Sequence, residues 1–319
     1  MAFAPRPLPK ETIDGLRPPL TGFDYFKHAD SFPFEPQAAD SAVNAWWLAD
    51  ASFLVYGGAK FIEQALENSP LRSQGFQVTW LGTADDNRGM VLSNDAAMVV
   101  VFRGTRVQVH SLMDKAEIVL YNQSDLRTDS RFFFRAAKVG GQVHSGFADA
   151  FAQVSGCLDA ILARRMPHQR LWLTGHSLGG ALATLAAAHI GSEAIHGLYT
   201  FGAPRVGDAA FTAFLPGKCH FRFVHRDDWV PQIPPEFLGF VHRGKLQPVS
   251  GSQPRNVRAD LLTGWQTFSA AVANASRDLK FRVGELPFQI AGLADHAPVY
   301  YATLLWNALV NSESPATND

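Results

Sequence analysis

Leu171-Trp172-Leu173-Thr174-Gly175-His176-Ser177-Leu178-Gly179-Gly180 is an apolar run that ends in G-x-S-x-G. It is followed at once by Ala181 to His189, a run of helix formers. The pattern reads as a strand turning sharply into a helix, with Ser177 at the tip of a strained elbow. Gly175 and Gly179 lack a Cβ, so strand and helix can approach closely there. The serine oxygen is then exposed, and the helix N-terminus beneath it favours developing negative charge. G-x-S-x-G alone is weak evidence; the strand before it and the small-residue helix after it give it weight. Residues 171–190 also have about the length of a membrane span. Against that reading, His176, Ser177, three glycines and Thr184 interrupt the run.

Working outward, Ala96 to Arg103 is nearly continuous in apolar residues, as buried central strands are. Gln77–Leu81 and Gly89–Ser93 read as two strands around the polar turn at residues 84–87, and Ala116–Tyr121 as another. Val139–His144 reads as a short strand and Gly146–Arg164 as a helix. Arg170–Thr174, Gly197–Phe201 and His220–His225 read as strands, with a short helix over Asp208–Leu215 and a strand over Gly239–His242. Strands alternating with helices imply a mostly parallel sheet covered on both faces. Right-handed crossovers then bring Gly104-Thr105, the Ser177 elbow, Gly202-Ala203 and Arg226-Asp227-Asp228 to one edge.

Residues 1–37 hold seven of the 19 prolines and little periodicity, and read as an extended N-terminal arm. From Pro36 to Ser69 the pattern is helical, broken by Gly57-Gly58, with Ala42, Trp46, Leu48, Ala49 and Phe53 on one side. Residues 250–292 are less regular, with helical patches over Arg258–Ala273. His296 to Asn311 reads as a closing helix capped by Asp295. Without repeat or linker, residues 38–312 form one domain and 313–319 a tail.

Hydrophobic residues make up 47% of the 319 and charged ones 18%, enough to fill a large core. A net charge of −1 without long like-charge blocks argues against nucleic acid as a partner. Cys157 and Cys219, the only cysteines, read as two buried free thiols rather than a disulfide. No positive region followed by an apolar stretch opens the sequence, so no signal peptide is expected; that favours a cytoplasmic protein, while a trimmed mature form or one secreted by another route would look the same. No His-Glu-x-x-His or Cys pair points to a metal, and no cofactor is expected.

A serine hydroxyl becomes a nucleophile when a base takes its proton, and the base needs a carboxylate to hold its tautomer. On a strand–elbow–helix scaffold the acid follows the serine and the histidine follows the acid. Of eleven histidines only His242 and His296 follow both Ser177 and the Asp-rich loop after the 220s strand. His242 sits in an expected strand and His296 in a polar turn free to reach across the edge, so His296 is the base. Asp227 and Asp228 are both placed to be the acid, with Glu236 a distant third. His110 and His144 precede Ser177 and read as structural. His176 should point off the elbow.

These blocks resemble the class 3 lipases, the fungal-type lipase family of the α/β-hydrolase fold. The resemblance is carried by Phe102-Arg103-Gly104-Thr105, Val143-His144-Ser145-Gly146-Phe147, Gly175-His176-Ser177-Leu178-Gly179-Gly180, Thr200-Phe201-Gly202-Ala203-Pro204-Arg205-Val206-Gly207 and Asp295-His296 with Tyr300. Asp228-Trp229-Val230-Pro231 with Pro234-Pro235 matches the family's Asp-x-Val-Pro, which favours Asp228 over Asp227 as the acid. The family tyrosine lies three residues after the histidine; Tyr300 stands one position later. The resemblance implies an oxyanion hole from Thr105 and the Leu178 amide, the latter also expected because Leu178 follows the nucleophile. It implies a lid after Thr105, where Val107, Val109, Leu112 and Met113 would cover an acyl groove when closed and meet lipid when open.

The expectation is a serine hydrolase of carboxylic esters of lipids, with a lipid or ester substrate and a transient lipid–water interface as partners. A phospholipase A1, a feruloyl-type esterase or an acyltransferase would use the same residues. In a different class, a non-enzymatic scaffold would have no reason to keep all three of Ser177, Asp228 and His296.

Overall fold

Seven strands run side by side in the order β1-β2-β3-β6-β7-β8-β9. They are β1 (Gln77–Gly82), β2 (Asn87–Ser93), β3 (Ala97–Phe102), β6 (Arg170–His176), β7 (Gly197–Phe201), β8 (His220–Val224) and β9 (Lys245–Pro248). β4 (Phe134–Ala136) and β5 (Gln142–His144) form a separate antiparallel ribbon. The computed structural model describes residues 3–82, 87–104, 134–249 and 294–313. The strand expected at Ala116–Tyr121, the helical patches at Arg258–Ala273 and His110 lie outside these residues.

β1, β2 and β3 pair antiparallel; from β3 onward every pair is parallel. This is the mixed, mostly parallel sheet expected of an α/β chain. Period-2 alternation divides its side chains between two cores. Val99, Val101, Trp172, Tyr199, Phe201, Phe221 and Phe223 face one cluster. Val100, Phe102, Leu171, Leu173 and Leu198 face the other.

The second core is covered by α4 (Ser145–Leu162) and α5 (Leu178–Ile190). The first is covered by α2 (Ala42–Leu54) and the C-terminal α7 (Pro298–Glu313), which pack on each other. The remaining α-helices of the described residues are α1 (Ile13–Leu16), α3 (Ala59–Glu67) and α6 (Ala209–Thr212). Residues 171–190, long enough for a membrane span, are divided between β6 and the 13-residue α5. Among the described residues no helix is long and apolar enough to cross a membrane.

α2 breaks at the two glycines as its sequence implies, but it is buried all round from Asn44 to Leu54 rather than along one side. Residues from the first 37 supply the extra cover: Leu16, Tyr25, Phe26, Ala29 and Phe34 sit in the first core. Two polar anchors hold this arm down. Asn44 bonds the backbone of Glu35 and Ala38. Asp50, fully buried, takes Arg6 at 2.9 Å and the Phe26 amide at 2.9 Å. Burial raises the Asp50 carboxyl above the ordinary range, and Arg6 works against that rise.

Three local expectations change. Gly239–His242 is not a strand: Gly239 sits at φ 92° after a 3₁₀ turn, and only an isolated bridge, Gly207 to Val241, forms there. β9 takes the sheet position instead, a half-exposed edge strand with no apolar run to announce it. The last helix starts at Pro298 rather than His296, and Asp295 does not cap it. Proline fits the first helical turn, where no N–H is needed, so the helix yields its start to Pro298. Cys157 and Cys219 are free and only half-buried.

Candidate active site

The parallel register decides which side chains meet. Phe102 of β3 lies beside Gly175 of β6, and His176 beside Phe201 of β7. The segments leaving β3, β6, β7 and β8 therefore emerge on one edge. Ser177 follows β6 directly, with φ 59° and ψ −129°, a conformation that L residues rarely adopt. The elbow is possible because a Cβ on Gly175 would stand 2.3 Å from the Gly179 carbonyl carbon, and one on Gly179 2.2 Å from the Phe102 oxygen. α5 begins at Leu178, so the Leu178 amide is one of the helix's unshared N-terminal donors.

His296 Nε2 lies 2.9 Å from Ser177 Oγ. His296 Nδ1 lies 2.9 and 3.0 Å from the two carboxylate oxygens of Asp228. A carboxylate only accepts, so Nδ1 carries the proton and Nε2 offers its lone pair to the serine hydroxyl. Asp228 is fully buried and takes two further donors, the Val230 amide at 3.0 Å and the Tyr301 hydroxyl at 2.5 Å. Asp227 is half-buried; its amide donates to Asp295 Oδ2 at 3.2 Å and its side chain plays no part in the Asp228–His296 contact. Glu236 pairs with Arg205. His242 is spent on the Pro231 carbonyl at 2.7 Å. His144 caps α4 through the Phe147 amide, and burial pushes it down to about 4. The structure thus brings Ser177, His296 and Asp228 together and leaves the competing acids and base apart. Thr105 and the lid residues Val107, Val109, Leu112 and Met113 lie outside the described residues.

Four contributions were not visible in the sequence. Tyr301, not Tyr300, reaches the acid; Tyr300 instead stacks on the His225 ring at 5.1 Å. Burial, then the neighbouring Asp228, raises the Tyr301 phenol well above its ordinary value, so it stays a donor. His176 does point off the elbow, but toward the base: its Nε2 lies 2.7 Å from the His296 carbonyl oxygen and its Nδ1 2.8 Å from Tyr56 Oη. The carbonyl only accepts, so Nε2 holds the proton and Nδ1 accepts from the tyrosine. Burial holds His176 well below the ordinary histidine range, so it is a neutral strut. Asp295 ties the turn carrying His296 to the loop carrying Asp228, accepting from the Asp227 amide and lying 3.4 Å from His225 Nε2. Gly202 makes room for the group: at φ 56°, a Cβ there would stand 2.6 Å from Asp228 Oδ2 and 3.0 Å from His296 Nδ1.

A mostly parallel sheet with helices on both faces and a strained serine between strand and helix, reached by a histidine and a buried carboxylate, is the α/β-hydrolase fold. Residues 99–238 of the chain match the family model described as Lipase (class 3). The chain is 31% identical over 179 residues to a lipase of Rhizopus oryzae, covering 52% of this chain and 42% of that protein. It is 38% identical over 109 residues to the secreted mono- and diacylglycerol lipase 1 of Fusarium solani, covering 32% and 33%. The matched stretches thus span 33% to 42% of these relatives' own length. Among solved structures, lipase II of Rhizopus niveus aligns at 25% identity over 65% of this chain and 79% of that one, with a TM-score of 0.48.

Proposed function

We propose that the protein hydrolyses carboxylic esters of acylglycerols through an acyl-enzyme. Ser177 Oγ attacks the acyl carbon while His296 Nε2 takes its proton. His296 then gives that proton to the leaving alcohol. Water, deprotonated by His296, attacks the acyl-serine and releases the acid. Asp228 holds the tautomer and faces the imidazolium as it forms. The Leu178 amide and Thr105 hold the oxyanion, and Val107, Val109, Leu112 and Met113 form a lid. The observation that carries the reading is the line of contacts Ser177–His296–Asp228 at 2.9 Å each. The acylglycerol substrate is supported by what the relatives are named for, lipases and a mono- and diacylglycerol lipase. Phospholipase A1 and feruloyl-type esterase readings use the same groups. A non-enzymatic scaffold is disfavoured by the aligned hydrogen bonds.

The test is a panel of nitrophenyl esters of rising acyl length with emulsified mono-, di- and triacylglycerols, run on the parent and on Ser177→Ala. Loss of a triad serine costs up to about 10⁶ in kcat. The variant should lose ester hydrolysis at an unchanged melting point; activity within about tenfold of the parent defeats the proposal.

A further inference from the structure

α2 ends at Leu54, and from just beyond it the buried Tyr56 reaches the place where β3 and β6 end. Its Oη lies 2.8 Å from His176 Nδ1 and shares a hydrogen bond with the backbone of Gly104, two residues past β3. The fit to Gly104 is so close that a Cβ there would stand 2.0 Å from Oη. His176, buried in its turn, continues the line: its Nε2 lies 2.7 Å from the His296 carbonyl oxygen. The imidazole is walled by three rings, those of Tyr56, His296 and Tyr301, with centroids 5.9, 4.5 and 5.6 Å away.

The donors point one way. Burial raises the Tyr56 phenol, so Oη keeps its proton and donates it to Nδ1. Having given that proton, Oη accepts from Gly104, whose amide is the donor. Burial, then the neighbouring His296, holds His176 well below the ordinary histidine range, so it carries one proton, on Nε2, facing the carbonyl. The opposite tautomer would set the Nε2 lone pair against the carbonyl oxygen and the phenol proton against a second N–H. The line therefore runs from the Gly104 amide through Tyr56 and His176 to the His296 carbonyl, and hydrogen bonds aligned in this way polarise one another. It ends on two backbones the reaction needs in register, that of the base and that of the residue before Thr105. Both side chains are buried, so neither is a catalytic group.

We propose that Tyr56 and His176 are positioning residues for the reaction of Ser177: the pair seats His296 against Ser177 Oγ and holds it in register with the segment that enters Thr105. The inference rests on the ester-hydrolase reading of the site and deepens it. His296 sits in a turn, and its Nε2 must stay 2.9 Å from Ser177 Oγ. Asp228 fixes one edge of the ring, and the bond to the carbonyl fixes the backbone from which the ring swings. A misplacement of about 1 Å at a reacting centre costs about 10²-fold in rate.

The test compares the parent with His176→Phe, His176→Gln, Tyr56→Phe and the double Phe variant on one soluble nitrophenyl ester, below the melting temperature of each. Phe at 176 keeps a ring and removes both hydrogen bonds; Gln carries an acceptor and a donor on its amide and can restore both. His176→Phe should lower kcat by about 10²-fold with KM little changed. His176→Gln should recover to within about tenfold of the parent, and Tyr56→Phe should fall between the two. The double variant should be no slower than His176→Phe, because the two residues act as one line. In parallel, proton NMR follows the low-field resonance of His296 Nδ1–H in its bond to Asp228, which should broaden or shift in His176→Phe and return in His176→Gln. Parent kcat with an unmoved resonance in His176→Phe would leave the pair a role in folding only, and the proposal fails. It fails equally if Gln is as slow as Phe, or if the costs of the two single Phe variants add in the double. Should His176→Phe not fold, Tyr56→Phe decides by the same two measurements. The resonance needs no substrate, so a parent that hydrolyses no ester rejects the hydrolase reading alone, and the response of the resonance still decides the seating of His296.

Discussion

Replacing Tyr301 by Phe removes one oxygen and nothing else. That oxygen donates to Asp228 Oδ2 at 2.5 Å and accepts from the His225 amide at 3.2 Å. The ring keeps its neighbours, with centroids 5.6 Å from His176 and 6.1 Å from Phe201. A hydrogen bond to a charged group contributes about 1.5–3 kcal/mol, and a buried amide left without a partner costs about 1–3 kcal/mol. The two losses share an atom and will not add fully, so the destabilisation is about 2–4 kcal/mol. For a chain this long, each kcal/mol lowers the melting temperature by about 2 °C, giving a fall of roughly 4–8 °C by calorimetry.

Activity should respond less than to loss of the acid itself. Asp228 would keep the Val230 amide and His296 Nδ1, so tautomer control survives and only the hold on the carboxylate weakens. If about 1.5–3 kcal/mol of that hold is felt at the transition state, kcat on a soluble ester falls by roughly 10- to 150-fold. Tyr300→Phe is the control, since among the described residues its hydroxyl bonds only Glu11, at 3.4 Å. A Tyr301→Phe enzyme with parent kcat and melting temperature, or a Tyr300→Phe enzyme that is the slower of the two, refutes the assignment.

Asp228→Asn should cost about 10⁴ in kcat while Asp227→Asn costs far less, as steady-state kinetics on one ester will show; the reverse order would put the acid one residue earlier. Gly202→Ala places a Cβ 2.6 Å from Asp228 Oδ2 at φ 56°, so displacement of the acid should lower kcat by about 10²-fold even where the variant folds; unchanged kinetics would refute the packing. Stability should fall on acidification. His144 and His220 titrate near 6.5 when unfolded but near 4 and 3 when folded, and His176 is also well below 6.5. Between those values the unfolded chain binds protons that the folded one refuses, so each histidine removes about 1.4 kcal/mol per pH unit below about pH 6.5. His242, also held well below 6.5 by burial, acts in the same sense, so Asp50, raised by burial, works against them as one group against four. Urea midpoints that stay level or rise from pH 7 to pH 5 would contradict this.

The residues legible in the sequence are those whose role rests on local pattern or chain order. β3 and β6 announce themselves as apolar runs because they are buried on both faces, and Ser177 because the elbow demands small neighbours. Asp228 and His296 follow from order once the serine is placed, and the family pattern decides between adjacent aspartates. What was hidden is non-local. Tyr56 and His176 are 120 residues apart, and no spacing rule links them. Tyr301 was hidden because its partner Asp228 lies 73 residues away, and nothing local distinguishes it from the adjacent Tyr300. β9 was hidden because an edge strand needs no apolar alternation.

The base depends on the far end of the chain. His296 sits in a turn rather than on a strand, so its position is set by what grips the turn and the helix after it. Asp295 and the His176 strut grip the turn from the sheet edge. α7 is gripped from the other side by the N-terminal arm: Asn307 exchanges hydrogen bonds with the Arg6 backbone, and Trp306 Nε1 donates to the Ala4 carbonyl at 3.0 Å. Arg6 lies 5.4 Å from the Trp306 ring centroid and salt-bridges Asp50 of α2, the helix on which α7 packs. A buried ion pair of this sort contributes little net stability, because desolvation offsets its attraction. Its geometry is nonetheless directional, and it fixes the arm against both helices at once. The proline-rich opening residues thus help to set the register of α7, and through it the approach of Tyr301 to Asp228, although none of the arm's described residues bonds Ser177, Asp228 or His296.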